Sequence, residues 1–194
     1  MFDKNELEQT LFSLSQEDNI QLSELPDMDL YMDQLLKFLN TRIKSLKDGS
    51  SAAFTKTMIN NYARKDSILM QPKERKYNHY HILSLILIHQ LKNIISMDDI
   101  KLLFNYMFND IDDPGDDIVH PEQVYTTFCK LKTICSQQLL DNLSEQMDLL
   151  QPELSNISAE NLEQVTNLLL VLMLVIQANL CKKLAAKIIM DKFA

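Results

Sequence analysis

The chain is short of glycine. Only Gly49 and Gly115 occur in 194 residues, where average usage near 7% would place roughly 13. Dinucleotide-binding turns, phosphate loops and nucleophile elbows need glycine where backbone turns sharply or approaches a ligand closely. None of the three can be built from this sequence. Cysteine is scarce as well. Cys129, Cys135 and Cys181 form an odd set without CxxC spacing, so neither a disulfide framework nor a zinc knuckle is expected, and a reducing cytoplasm fits. The opening residues, Met1-Phe2-Asp3-Lys4-Asn5-Glu6, lack the basic and apolar regions of a signal peptide. The longest unbroken apolar run, Leu168 to Ile176, is nine residues, against about 20 for a spanning helix. The expectation is a soluble, cytoplasmic protein without membrane contact.

What remains is helical in character. Five prolines and 46% apolar residues point to a mainly α protein with a substantial core, as one domain or two small ones. The net charge of −8 hides a strong asymmetry. Residues 29–108 hold 12 Lys/Arg against 7 Asp/Glu, residues 1–28 hold 1 against 7, and residues 109–194 hold 6 against 13. A basic middle between acidic flanks is the kind of division that accompanies separate partners.

The patterning divides the chain into an acidic N-terminal arm (1–28), a basic segment (29–108), an acidic linker (109–119) and a helical C-terminal region (120–194). In the arm, Leu7, Leu11 and Leu14 predict a short amphipathic helix over Asn5–Leu14, followed by a loose stretch. Leu35, Leu36, Leu39 and Ile43 predict a long helix from about Asp29 to Leu46, stopped by Lys47-Asp48-Gly49-Ser50-Ser51. Thr55 caps a helix over Lys56–Lys65, with Met58, Ile59 and Tyr62 inward. Ile68 to Tyr77, with a charged tip, predicts a small β-hairpin or wing. Asn78 and Ser96 cap two further helices, to about Asn93 and Phe108, and Asp98 and Asp99 suit the positive end of the second. Beyond the linker, three helices are expected over 121–134, 136–150 and 159–191, with Pro121 in the first turn and Pro152 between the last two. The last helix is apolar all round in its middle and must be buried by neighbours or by a second subunit.

The order helix, helix, wing, helix, helix is that of a winged helix-turn-helix. Lys56, Asn60 and Arg64 form one i, i+4 stripe, and Thr57, Asn61 and Lys65 form the stripe beside it. Asn bonds adenine edges, while Lys and Arg neutralise phosphates or read guanine. Lys73, Arg75 and Lys76 add charge at the tip. Across Lys56–Tyr80 six cationic residues face two anionic ones, enough for electrostatic attraction to nucleic acid. Double-stranded DNA is therefore the expected partner, bound by a homodimer joined through the C-terminal helix.

Three blocks also carry a family resemblance. Thr55-Lys-Thr-Met-Ile-Asn-Asn-Tyr62, Pro72-Lys-Glu-Arg-Lys-Tyr77 and Leu85 to Ile100 resemble an uncharacterised bacterial family, domain of unknown function 1836, over about residues 29–130. The resemblance implies a small cytoplasmic protein of low-GC Gram-positive bacteria. A fainter likeness is to the MerR-type winged helix: Tyr62 resembles the tyrosine ending its recognition helix, Arg75-Lys76-Tyr77 its closing Arg-x-Tyr, and Ser96-Met97-Asp98-Asp99-Ile100 its Ser-Leu-Glu-Glu-Ile helix start. Asn60 stands where that pattern has an arginine, and its glycines are missing. The likeness implies promoter recognition and transcription regulation by analogy.

Other chemistries find little footing. Asp110, Asp112, Gly115 and Asp116 imitate the start of a calcium loop, but Pro114 and Pro121 occupy ligand positions. His79, His81, His89 and His120 form no i, i+4 pair and read as cap or surface residues. Cys181 reads as a small buried hydrophobe. No catalytic constellation and no cofactor are expected, so the protein is read as a non-enzyme. The alternative to DNA binding is a protein-interaction or adaptor module that keeps the winged-helix shape.

Overall fold

The computed structural model describes residues 4–17, 19–43, 52–64, 68–69, 71–107 and 120–193. Among them are seven α-helices: α1 (Lys4–Gln16), α2 (Met32–Arg42), α3 (Lys56–Tyr62), α4 (His79–Leu91), α5 (Met97–Met107), α6 (Pro121–Leu154) and α7 (Ala159–Lys192). Two short strands, β1 (Leu30–Tyr31) and β2 (Lys76–Tyr77), complete the set and pair antiparallel, Leu30 opposite Tyr77 and Tyr31 opposite Lys76. The protein is mainly α.

Two compact units divide the chain, one of Glu17–Phe128 with Ala186–Ala194, the other of Met1–Gln16 with Cys129–Ala185. In the first, α4 is the central element. Every residue from His81 to His89 is buried, as an all-round apolar helix requires. Asn78 caps it as expected: its side-chain oxygen accepts from His81 N–H at 3.2 Å. Ser96 Oγ accepts from Asp99 N–H at 3.1 Å while Ser96 N–H donates to the Asp99 carboxylate at 3.3 Å, a reciprocal cap on α5. Leu35, Leu39 and Ile43 of the α2 stripe are buried. Phe193, at the chain's far end, meets Tyr106 of α5 edge-on at 5.0 Å.

Several boundaries depart from the sequence reading. The helix expected from Asp29 begins only at Met32, because Leu30 and Tyr31 are extended and bonded to β2. Tyr31 N–H donates to Gln34 Oε1 at 2.9 Å, which starts the helix. The hairpin expected within 68–77 is absent among its described residues: only Lys76–Tyr77 is a strand, and its partner precedes α2. The break expected near Cys135 does not occur, since nothing there stops a helix, and α6 runs on from Pro121 through Pro152 to Leu154. The stop at 47–51 and the acidic linker lie outside the described residues, apart from the linker's flank at His120.

In the second unit, α1 turns Leu7, Leu11 and Ser15 inward and leaves Leu14 exposed, an i+4 ladder replacing the expected face. Ser15 buries its hydroxyl by donating to Phe12 C=O at 2.8 Å. A cavity of about 460 Å³, lined by Glu8 and Phe12 of α1 and Ser136 and Gln137 of α6, lies between these helices. Gln177 of α7 donates to Gln146 of α6 at 2.9 Å. Of the two expected covers for the apolar middle of α7, the chain's own neighbours do not supply one: Leu168, Val171, Leu172, Val175 and Ile176 are exposed. Cys181, expected in a core, is exposed for the same reason.

Candidate nucleic-acid interface

The start of α3 is held from inside. The side-chain amide of Asn40 donates to Phe54 C=O at 2.9 Å, and its oxygen accepts from Phe54 N–H at 2.8 Å. Phe54 is buried, with the His89 ring 5.4 Å away and the Lys92 ammonium 5.6 Å above its face. That burial pushes the Lys92 amine below its ordinary value, since a charged head loses water there. One residue on, Thr55 caps the helix by accepting from Met58 N–H at 3.2 Å. Ile59 is fully buried and Met58 and Tyr62 half-buried, as the spacing predicts. Burial also raises the Tyr62 phenol. At the other end, Leu69 N–H donates to Tyr62 C=O at 2.8 Å, and the Leu69 side chain is buried.

With that inner side anchored, the opposite side is open. Lys56, Thr57, Asn60 and Asn61 are all exposed on α3. The helix ends at Tyr62, so Arg64 is exposed in the turn beyond it rather than on the expected stripe, and Lys65 lies outside the described residues. Seven residues make two turns, which leaves Lys56 with Asn60, and Thr57 with Asn61, as the helical pairs.

The tip departs further from a wing. Lys73–Arg75 form a single tight turn in which Glu74 (φ 51°) and Arg75 (φ 63°) are left-handed. Such a conformation disfavours residues with a Cβ, and this is where a glycine would be expected. Lys73, Glu74 and Arg75 are exposed. Lys76 is half-buried: its ammonium lies 3.6 Å from Glu74 and 5.8 Å over the Tyr31 ring. The cations at the tip are thus displayed by a turn leading into β2.

Sequence reasoning missed the residues that do the positioning. Asn40 and Phe54 left a trace, a polar residue inside the apolar stripe of α2 and a bulky apolar residue before the Thr55 cap. His89 is buried rather than at the surface, while His81 is a cap residue as expected: its Nδ1 accepts from Asn78 N–H at 3.2 Å, and its buried ring stands edge-on to Tyr77 at 5.3 Å. His79 donates from Nε2 to Pro26 C=O, and nothing in the spacing signals that. Among the described residues, no three His, Cys, Asp or Glu side chains gather as a metal site.

A family model described as Domain of unknown function (DUF1836) matches residues 20–128, more than half of the chain. No curated protein and no solved structure matches.

Proposed function

We propose, from the premise that this chain belongs to the DUF1836 family, that it is a cytoplasmic, non-enzymatic regulator of transcription that binds double-stranded DNA as a homodimer. The observation that carries the reading is the two-sidedness of α3. Ile59 faces a core while Lys56, Thr57, Asn60 and Asn61 face solvent. On this reading α3 enters the major groove, where Asn60 and Asn61 meet base edges and Lys56 and Arg64 meet phosphates. Lys73, Arg75 and Lys76 track the neighbouring backbone. The likeness of Tyr62, Arg75-Lys76-Tyr77 and Ser96–Ile100 to a MerR-type domain belongs to the same proposal.

A mobility-shift titration of the full chain on duplex DNA, at low and moderate salt, tests it. The expected result is binding at low salt that weakens as salt rises, with further loss in Lys56→Ala plus Arg64→Ala plus Arg75→Ala. No binding at low salt, or binding indifferent to the three substitutions, overturns it.

The adaptor reading is the second choice. Its support is the charge of the flanks, 20 acidic residues against 7 basic in 1–28 and 109–194 together, which repel DNA wherever they approach it.

A further inference from the structure

The middle of α7 is apolar and open to solvent. From Gln164 to Cys181 the helix carries no charged residue. By length and hydropathy it is the one helix among the described residues apolar enough to cross a membrane, with a mean hydropathy of 1.8 over its most apolar window, yet only 6% of that window is buried. Leu168, Val171, Leu172, Val175 and Ile176 are each 48–58% exposed. At 3.6 residues per turn these five lie within about 140° of one another, one broad face spaced by threes and fours.

Two observations decide what covers this face. The first is the bond between Gln177 and Gln146. It ties α7 to α6, whose Lys130, Lys132, Asp141, Glu145 and Asp148 would each be costly inside a bilayer. A bilayer-spanning α7 would have to break that pairing or carry those charges in with it. The second is the placing of charge at the two ends of the face. Glu160 lies twelve residues before Leu172, and Lys182 and Lys183 lie ten and eleven after it. The face is therefore apolar about Leu172, negative at one end and positive at the other.

We infer that a second copy of this chain covers the face, the two α7 helices packing antiparallel about a two-fold axis at Leu172. In that register Leu168 of each copy meets Ile176 of the partner subunit, and each Glu160 meets the end that carries Lys183. A parallel pair sets acid against acid and base against base at both ends. The threes-and-fours spacing suits the shallow crossing of about 20° that keeps both ends in reach. The inference deepens the homodimer of the proposed function but is argued from α7 alone: a monomer that still shifts duplex DNA overturns it while leaving DNA contact standing.

Analytical ultracentrifugation of the full chain tests the assembly, and cysteine cross-linking tests its direction. The expected mass is twice the 22.5 kDa of one chain. Leu172→Glu raises the dimer Kd by at least about thirtyfold, the scale of a central interface side chain, with the helical circular dichroism retained. Lys182→Glu plus Lys183→Glu weakens the dimer by about fivefold, in the range of flanking ion pairs, and adding Glu160→Lys restores it. In a background carrying Cys129→Ser, Cys135→Ser and Cys181→Ser, Leu168→Cys alone forms no disulfide dimer, because the two sulfurs are about 12 Å apart along the axis. Leu168→Cys with Ile176→Cys forms one. A monomer at all concentrations, a dimer indifferent to Leu172→Glu, or cross-linking by Leu168→Cys alone overturns the inference. So does a wild-type chain that is monomeric in buffer and floats with phosphatidylcholine–phosphatidylglycerol vesicles.

Discussion

The Tyr125 hydroxyl is bonded to both backbone groups of Ile20: it donates to Ile20 C=O at 2.8 Å and accepts from Ile20 N–H at 3.2 Å. Both residues are buried. One side chain in α6 thus substitutes for a strand neighbour and satisfies a segment with no ladder of its own. The stretch matched by the family model begins at Ile20 and ends three residues after Tyr125, so this contact ties together the two ends of the matched region.

Tyr125→Phe removes that hydroxyl and strands a buried donor and acceptor. The expected loss is about 1–3 kcal/mol, read as a lower urea midpoint for the full chain. A change below about 0.5 kcal/mol would mean that water reaches Ile20.

Asn40→Leu should cost a similar amount, about 1–3 kcal/mol, since both polar groups of Phe54 lose their partner. The outcome differs in kind, because Phe54 directly precedes the Thr55 cap. Hydrogen exchange in 56–62 should accelerate more than in α4. Equal acceleration in the two helices contradicts a positioning role for Asn40.

Glu74→Gly should stabilise the chain. Glycine takes φ of 51° without a Cβ clash, a relief of roughly 1 kcal/mol partly offset by chain entropy. The substitution also removes the ion pair between Glu74 and Lys76, but Glu74 is exposed and such a pair is worth little. A thermal midpoint lower than that of the parent counts against the left-handed turn.

Glu24 makes stability depend on pH. Its carboxylate accepts from Gln21 N–H at 2.8 Å and pairs with the Arg42 guanidinium, and these, in that order, hold it below its ordinary value of 4.5. A depressed folded value means that the contribution is complete above pH 4.5 and is lost as pH falls through the lower folded value. Glu24→Gln should therefore lower the urea midpoint at pH 7 and converge on the parent in more acid solution. A gap independent of pH would show that the carboxylate charge is not involved.

If α3 reads DNA, Asn60→Ala and Lys56→Ala should fail differently. Losing the Lys56 charge weakens all sequences and lowers the salt slope by about one. Losing Asn60 leaves the slope and relaxes discrimination at one base pair, a loss of about 1–3 kcal/mol there. Competition binding at several salt concentrations separates the two.

Much of the fold was legible because it depends on local rules. Thr55, Asn78, Ser96 and Pro121 mark helix starts through chemistry confined to one turn, and all four helices begin where those residues place them. The inner side of α3 followed from periodicity. What failed depended on distant partners. Leu30 and Tyr31 fit a helical pattern, yet β2, some 46 residues away in sequence, holds them extended. Arg64 joins the Lys56 and Asn60 stripe only if the helix makes a third turn, and α3 makes two.

By itself, the sequence determined the class and the exclusions: a mainly α chain whose two glycines forbid the common nucleotide-binding turns, with its basic residues concentrated in the middle. Those are properties of composition and of spacing within a few residues, where each side chain acts on its own turn. Only the tertiary structure decided which apolar helix is enclosed. α4 and α7 look alike as sequence, both apolar around their circumference. Burial depends on what surrounds a helix, and α4 has neighbours on all sides while the middle of α7 is left to solvent.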